Sequence, residues 1–260
     1  MSDAAPEQGN PRDDSLRELA VADTLTRISK GIAHEICNPL SQITLAADLL
    51  GGQRPLTDER RSQIAKVLHQ ASQRIDRAVT QLQQACSPLQ EAMEVLDSGP
   101  LLQGTLSALK LPAHLSLEAE IPTQGLPRIK ANAKYLGIAL RHLLDNAIEA
   151  MPKAGRLTLR ASTRQIGQSQ RGSWQQSTSL NAGDLALCIE ICDSGPGIPT
   201  QQLHLIFEPF FSTKPAGQGS GLGLAAARKI ISLHEGQLDI ANLPQGGVCA
   251  TILLKALNQA

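Results

Sequence analysis

The segment Ile-Ala-His-Glu-Ile-Cys-Asn-Pro-Leu, residues 32–40, places a histidine beside a carboxylate within a run of helically spaced apolar residues. If this segment is helical, His34 and Asn38 lie at positions i and i+4 and share one face. Glu35 is then close enough to orient the imidazole ring of His34 or to take its proton. The pattern makes His34 the candidate nucleophile, although a partly exposed helical histidine without chemistry would explain the segment if it stood alone.

Two stripes of helically spaced apolar residues lie within residues 15–88, separated by the Gly51-Gly52 pair. The glycine pair should end the first helix, and Pro39 should bend it because proline removes a backbone donor. Two helices cannot enclose a core by themselves. We therefore predict a helical hairpin whose stripes meet those of a second copy in a dimeric four-helix bundle. Packing against the C-terminal domain of the same chain is the alternative.

Composition excludes several classes of protein. The 260 residues are 42% hydrophobic, which is enough to build sizeable cores, and 24 basic side chains balance 24 acidic ones. A balanced charge gives no long-range attraction to nucleic acid or to an anionic membrane surface. Residues 1–14 are polar and read as a flexible N-terminus without a signal core, and no apolar run is long enough to span a bilayer. We expect a cytoplasmic protein with no membrane insertion and no nucleic-acid partner.

The five cysteines show no CxxC pair and no Cys/His cluster with zinc-ligand spacing. An odd number of scattered cysteines is typical of a protein with reduced thiols. We therefore expect neither structural disulfides nor a cysteine-bound metal.

Beyond Pro88, helical and strand patterns alternate, which predicts an α+β domain over residues 89–260. A polar stretch rich in Gln, Ser and Gly, residues 162–183, predicts a long hairpin loop without a packed core of its own. The predicted helices are Pro100–Leu109, Asn132–Met151 and Ala225–Leu233. The predicted strands are Glu94–Asp97, Leu115–Ile121, Arg156–Ala161, Leu185–Cys192, Gly236–Ile240 and Val248–Leu254.

Two glycine-rich loops follow apolar segments of this domain. Asp193 begins the sequence DSGPG directly after a strand, where a carboxylate can accept a hydrogen bond from an exocyclic amine such as that of adenine. The sequence GQGSGLGL, residues 217–224, leads into a helix and can present backbone N–H groups to a phosphate. An ordinary turn and a flexible linker are the respective alternatives.

One helix carries a stripe of polar residues. His142, Asn146 and Glu149 lie at i, i+4 and i+7, so they can face a metal-bound triphosphate. Mg²⁺ requires oxygen ligands, which Asn146 can supply. A solvated helix face would show the same stripe.

The segments HEICNPL, LLDNAIEA, DSGPGI, IFEPFFSTK and GSGLGL occur in an order and at spacings that resemble the bacterial two-component sensor histidine kinases, most closely the nitrogen-regulator-type branch. The resemblance runs from about residue 20 to residue 256. It implies a dimeric helical hairpin that carries a phosphorylated histidine. It also implies an α/β sandwich that binds ATP, the Bergerat fold shared with gyrase, MutL-type repair proteins and heat-shock chaperones.

In the helical hairpin, the resemblance implies that His34 accepts the phosphoryl group and that Glu35 is its acid/base helper. Asn38 matches the residue that helps to dephosphorylate the partner. In the α+β domain, Asn146 matches a Mg²⁺ ligand and Asp193 matches the adenine acceptor.

The same resemblance assigns glycines and aromatic residues to the nucleotide site. Gly195 and Gly197 match a first glycine box, and Gly219, Gly221 and Gly223, followed by Leu224, match a second. The cluster Phe207, Phe210 and Phe211 resembles the hinge of a lid over ATP, with core packing as the alternative. Lys214 is expected to meet the γ-phosphate, unless it is simply a solvated lysine.

Two positions depart from the family pattern. His142 stands where these kinases usually carry a first Asn, so Mg²⁺ coordination could differ, and Cys37 replaces the commoner Lys or Arg. We expect an ATP- and Mg²⁺-dependent histidine kinase that phosphorylates His34 and passes the phosphoryl group to an aspartate on the receiver domain of a separate response regulator. An upstream sensor protein should supply the input. The alternatives are a protein that acts mainly as a regulator phosphatase and a degenerate kinase that serves as a scaffold for partners.

Overall fold

The computed structural model describes residues 36–52, 56–86, 92–122, 124–167, 180–213 and 221–257. These residues form two compact units, a helical unit that reaches Val79 and a second unit that begins at Thr80 and contains the sheet. Four predicted site residues lie outside the described residues, as do residues 168–179 of the predicted polar loop. The four are His34, Glu35, Lys214 and Gly219.

The helical unit contains α1, described over residues 36–51, and the beginning of α2, Asp58–Cys86. Helix α1 ends at the predicted glycine pair. Helix α2 is capped by Thr57, whose Oγ1 accepts the backbone N–H of Arg60 at 3.3 Å. No helix in the described part of the chain is long and apolar enough to cross a membrane.

The second unit contains a five-stranded sheet and a small two-stranded sheet. The strands of the large sheet lie in the order β2 (Leu115–Glu120), β4 (Gly155–Gln165), β5 (Leu185–Asp193), β7 (Val248–Lys255) and β6 (Gln237–Asn242). Strands β2 and β4 are parallel, and the other neighbours are antiparallel. The small sheet pairs β1 (Glu94–Asp97) with β3 (Arg128–Ala131).

Within the described residues, the second unit contains the end of α2 and three further α-helices, namely α3 (Ser98–Ser107), α4 (Ala133–Glu149) and α5 (Gly223–Leu233). Asn132 caps the N-terminus of α4, because its side chain accepts the N–H of Tyr135 at 3.1 Å. Buried residues of α4 and α5 share one apolar core with alternate residues of β5, because side chains alternate between the faces of a strand. The predicted α+β class is confirmed, with a helical N-terminal region followed by a sheet packed against helices.

The polar loop was predicted to begin at residue 162, but strand β4 continues to Gln165. Residues 162–165 belong to β4 and pair with β5, where Gln165 lies opposite Leu185. Ile166 and Leu180 then pack on the outer face of the sheet with Ala186, Cys188 and Leu253. The expectation that this segment has no packed core is therefore wrong for its two ends. Strand β3 was not predicted from the sequence.

The expectation of no disulfide is also wrong, because Cys192 on β5 is bonded to Cys249 on β7. The two cysteines are 57 positions apart in the sequence, yet they lie directly opposite each other in the antiparallel register of β5 and β7. A spacing rule based on neighbouring cysteines cannot detect a pair that strand register creates. Cys37 and Cys188 are free thiols, the first exposed and the second buried.

Candidate functional site

Asp193 is a buried carboxylate at the carboxyl end of the central strand β5, with 7% of its surface exposed. Its Oδ1 accepts the backbone N–H of Gly195 at 2.8 Å and that of Val248 at 3.3 Å. Both of these contacts fall on one oxygen, so Oδ2 can accept from a ligand. Burial raises the pKa of the Asp193 carboxyl above its ordinary value, and the two N–H groups offset this only in part. Such a group is a strong acceptor that the fold holds in place at an energetic cost.

The loop after Asp193 requires glycine at two positions. A Cβ on Gly195 would lie 2.8 Å from Oδ1 of Asp193 and 3.2 Å from the carbonyl oxygen of Ala150, which follows α4. Gly197 has a φ of +82°, a left-handed conformation that favours glycine. The loop therefore brings its backbone close to both the carboxylate and the end of α4.

Helices α4 and α5 meet at the predicted phosphate end of the site. A Cβ on Gly223 would lie 3.7 Å from Nδ1 of His142, so this half-buried imidazole packs beside the first residue of α5. Burial lowers the pKa of His142 below its ordinary value, which favours a neutral ring at this position. Asn146 lies one turn further along α4 and is also half-buried.

The first turn of α5 can bind an anion through its backbone. The N–H groups of residues 223–225 have no partner within the helix by its geometry, and the positive end of the helix dipole lies there. The side chain of Leu224 packs against the core. Any contact of Leu224 with a phosphate would therefore come from its N–H group.

The phenylalanine cluster contacts the second glycine box through Phe210 and Gly221. The N–H of Phe210 donates to the carbonyl of Gly221 at 3.0 Å, and a Cβ on Gly221 would lie 2.5 Å from the carbonyl carbon of Phe210. Phe207 and Phe211 pack partly against the core, and the guanidinium of Arg228 lies 4.9 Å from the ring centre of Phe207. The core-packing alternative thus describes two of the three rings, and a lid function stays a prediction.

Several contacts that hold the site could not be predicted from the local sequence. Ser194 exchanges two hydrogen bonds with Arg156 at the start of β4, through the Ser194 hydroxyl at 2.8 Å and its N–H at 3.1 Å. Val248 donates to Asp193 from 55 positions away. These partners come from other strands, and nothing in their local sequence marks them.

The predicted Mg²⁺ site offers few protein ligands. Within the described residues, no three His, Cys, Asp or Glu side chains are grouped so as to hold a metal. Asn146, one turn along α4 from His142, supplies an amide oxygen. One protein oxygen together with phosphate oxygens and water is a usual way to bind Mg²⁺, so these residues fit that ion. In the helical unit, the side chain of Asn38 is exposed on α1.

Two stretches of the chain match known families. Residues 24–85 match the His Kinase A (phospho-acceptor) domain, and residues 131–258 match the Histidine kinase-, DNA gyrase B-, and HSP90-like ATPase family. The chain belongs to the two-component sensor histidine kinases. The nitrogen-regulator-type branch stays a prediction.

Several histidine kinases resemble this one over most of its length. ZraS of Escherichia coli is 30% identical over 244 residues, which is 93% of this chain and 48% of ZraS. AtoS of Escherichia coli is 29% identical, with 94% and 37% covered, and TmoS of Ectopseudomonas mendocina is 31% identical, with 94% and 24% covered. The chain spans about half or less of the length of these curated relatives.

Solved histidine kinases share the fold. The crystal structure of ThkA in complex with the response regulator TrrA has a TM-score of 0.65 at 20% identity, covering 98% of this chain and 68% of that one. Full-length ShkA in complex with AMPPNP has a TM-score of 0.59 at 18% identity, covering 94% and 47%. At these identities the likeness establishes the fold.

Proposed function

We propose that this histidine kinase phosphorylates its own His34 from ATP and passes the phosphoryl group to an aspartate on a separate receiver domain. The buried carboxylate of Asp193 carries the proposal, since its Oδ1 is occupied by two backbone donors and its Oδ2 can accept the exocyclic amine of adenine. The two matching families support the same activity. We also propose that residues 15–88 carry dimerisation and phosphotransfer and that residues 89–260 bind ATP.

In this proposal, the nucleotide extends from Asp193 to the start of α5. Gly195 and Gly197 admit its adenine end, and Gly219, Gly221 and Gly223 admit its phosphates to the N–H groups of the helix. The oxygen of Asn146 would hold Mg²⁺, while neutral His142 adds no positive charge beside it. When bound, Mg²⁺ neutralises charge on the phosphate oxygens.

The transfer itself needs alignment more than covalent assistance. A ring nitrogen of neutral His34 forms a bond to the γ-phosphorus as the bond to the bridging oxygen breaks, and ADP leaves. Glu35 stabilises the positive charge that develops on the ring or takes its proton. Lys214 adds a positive charge for the γ-phosphate.

Exposed apolar residues support a homodimer. In the helical unit of a single chain, large apolar side chains lie on the surface, and Leu45 is 62% exposed. Covering these residues with a second copy would remove them from water. The exposed residues are Leu40, Leu45, Leu49, Leu50, Val67 and Val79. The receiver domain, the upstream sensor protein and the cytoplasmic location stay predictions.

Labelling with γ-radiolabelled ATP tests the assignment of the nucleophile. His34→Gln should abolish the incorporated label, because glutamine has no nucleophilic ring nitrogen. His69→Gln is the matched control, since His69 is an exposed histidine on α2 of the same helical unit. Labelling of His34→Gln at the wild-type level would contradict the proposal.

Regulator dephosphorylation is a second candidate activity, and the exposed amide of Asn38, four positions after His34 in the sequence, favours it. The amide could orient the water that attacks the aspartyl phosphate. Asn38→Ala should slow the loss of phosphate from a phosphorylated receiver domain and leave the labelling of His34 intact. Absence of any ATP binding to the wild-type chain would instead favour the scaffold alternative.

A further inference from the structure

The turn between β6 and β7 contacts the loop that follows Asp193. Gly247 lies so close to Asp193 that an added Cβ would overlap the carbonyl oxygen of Asp193, and Val248 donates to its carboxylate. At the other end of the turn stands Asn242, the last residue of the edge strand β6. The turn thus approaches both ends of the loop formed by residues 193–198.

Asn242 makes two hydrogen bonds to a single residue of that loop. Its Oδ1 accepts the N–H of Ile198 at 2.7 Å, and its Nδ2 donates to the carbonyl oxygen of Ile198 at 2.6 Å. A carboxamide is the short side chain that can both accept and donate in this way. The two hydrogen bonds join residues 44 positions apart. They satisfy both the N–H and the carbonyl of Ile198, as a paired residue of a neighbouring strand would.

The two hydrogen bonds from Asn242 fix the end of the loop at Ile198. Residues 194–199 have no helix or strand of their own, and Gly197 adopts a left-handed conformation just before Ile198. The loop begins at the hydrogen bonds of Asp193 and ends at those of Asn242. Its backbone is therefore held at both ends before any ligand binds.

We infer that Asn242 is a positioning residue for nucleotide binding, an inference that rests on the nucleotide site proposed above. Asn242 acts through the loop and does not touch the nucleotide. Holding the loop in its binding conformation reduces the entropy lost on binding, so the residue raises affinity without taking part in phosphoryl transfer.

The test uses the full chain and isothermal titration with AMPPNP and Mg²⁺. Asn242→Ala removes both hydrogen bonds and should raise the Kd about tenfold. Asn242→Asp keeps the shape but sets a second acceptor against the Ile198 carbonyl, so its Kd should rise at least as much. Asp239→Ala is the control, because Asp239 is an exposed residue of the same edge strand. Its Kd should stay within about twofold of wild type.

Two further readouts separate positioning from a merely structural effect. Hydrogen exchange at the amide of Ile198 should accelerate in Asn242→Ala without nucleotide, and autophosphorylation should show a raised KM for ATP with little change in kcat. A variant that was only partly folded would instead bind fewer equivalents at an unchanged Kd.

Each outcome decides the inference. Equal Kd values for Asn242→Ala and Asp239→Ala would overturn it, as would fewer binding equivalents at the wild-type Kd. A wild-type chain that failed to bind AMPPNP would overturn the proposed nucleotide site itself and this inference with it.

Discussion

The two units of this histidine kinase treat their apolar residues in opposite ways. On α1, Leu45 is 62% exposed, whereas Leu144 on α4 is fully buried. The sheet unit encloses a core between its sheet and its helices, and only Val95 and Leu185 among its described large apolar residues are exposed. The helical unit leaves leucines in solvent that a second copy could cover. The proposed dimer accounts for this contrast, because the helical unit would complete its packing with a second copy while the sheet unit has a core of its own.

Removal of the disulfide should have the largest effect on stability, because the Cys192–Cys249 bond lies within the sheet unit. Closing a loop of this length stabilises a fold by about 4 kcal/mol in the chain-entropy account. Cys192→Ser combined with Cys249→Ser should therefore lower the melting temperature of the sheet unit, measured by calorimetry. Cys37→Ser, which changes an exposed free thiol on α1, is the matched control. Equal melting temperatures for the two variants would show that the bridge adds no stability.

A pair of leucine substitutions compares the two units directly. Leu144→Ala should lower the free energy of unfolding by about 3 kcal/mol, because it leaves a cavity in the core. Leu45→Ala should change the unfolding of the single chain by less than about 0.5 kcal/mol and should weaken self-association. Denaturant titration and sedimentation measure the two effects. The contrast fails if both variants lose equal stability and assemble as the wild type does.

Lowering the pH should reduce the free energy of unfolding of the sheet unit through His234, by less than the substitutions above. Its Nε2 accepts the N–H of Asn132 at 3.0 Å, and its Nδ1 lies 2.8 Å from the carbonyl oxygen of Ile230, which it reaches as the protonated nitrogen. Burial lowers the pKa of His234 below its ordinary value near 6.5. The unfolded chain therefore binds more protons, and the stability that His234 contributes is present above that value and lost as pH falls through it.

Urea titrations at pH 7.5 and at pH 5.5 measure this dependence. The wild type should lose stability at the lower pH, and His234→Gln should lose less. His142 acts in the same direction, since burial also lowers its pKa, so part of the dependence should persist in His234→Gln. If His234→Gln showed the same pH dependence of stability as the wild type, His234 would not be a cause of that dependence.

The sequence predicted the parts of this molecule that depend on local pattern. Helix α4 begins one residue after the capping side chain of Asn132, and Asp193 ends a strand where the apolar run predicted one. The contacts that could not be predicted are those between residues far apart in the sequence, which strand pairing brings together. Val248, Asn242 and Cys249 each meet a partner at least 44 positions away, on or beyond another strand. No local period records which strands become neighbours.

The nucleotide affinity of Asp193→Asn tests whether the buried carboxylate of Asp193 binds adenine. Asparagine keeps the shape of the side chain and removes the charge that accepts the adenine amine. Titration with AMPPNP and Mg²⁺ should show a Kd about one hundred times that of the wild type, as expected for loss of a hydrogen bond to a buried charged acceptor. The melting temperature without nucleotide should stay the same or rise, because the fold no longer holds a carboxylate whose pKa burial has raised. Unchanged affinity in Asp193→Asn would show that this carboxylate does not bind the adenine of ATP.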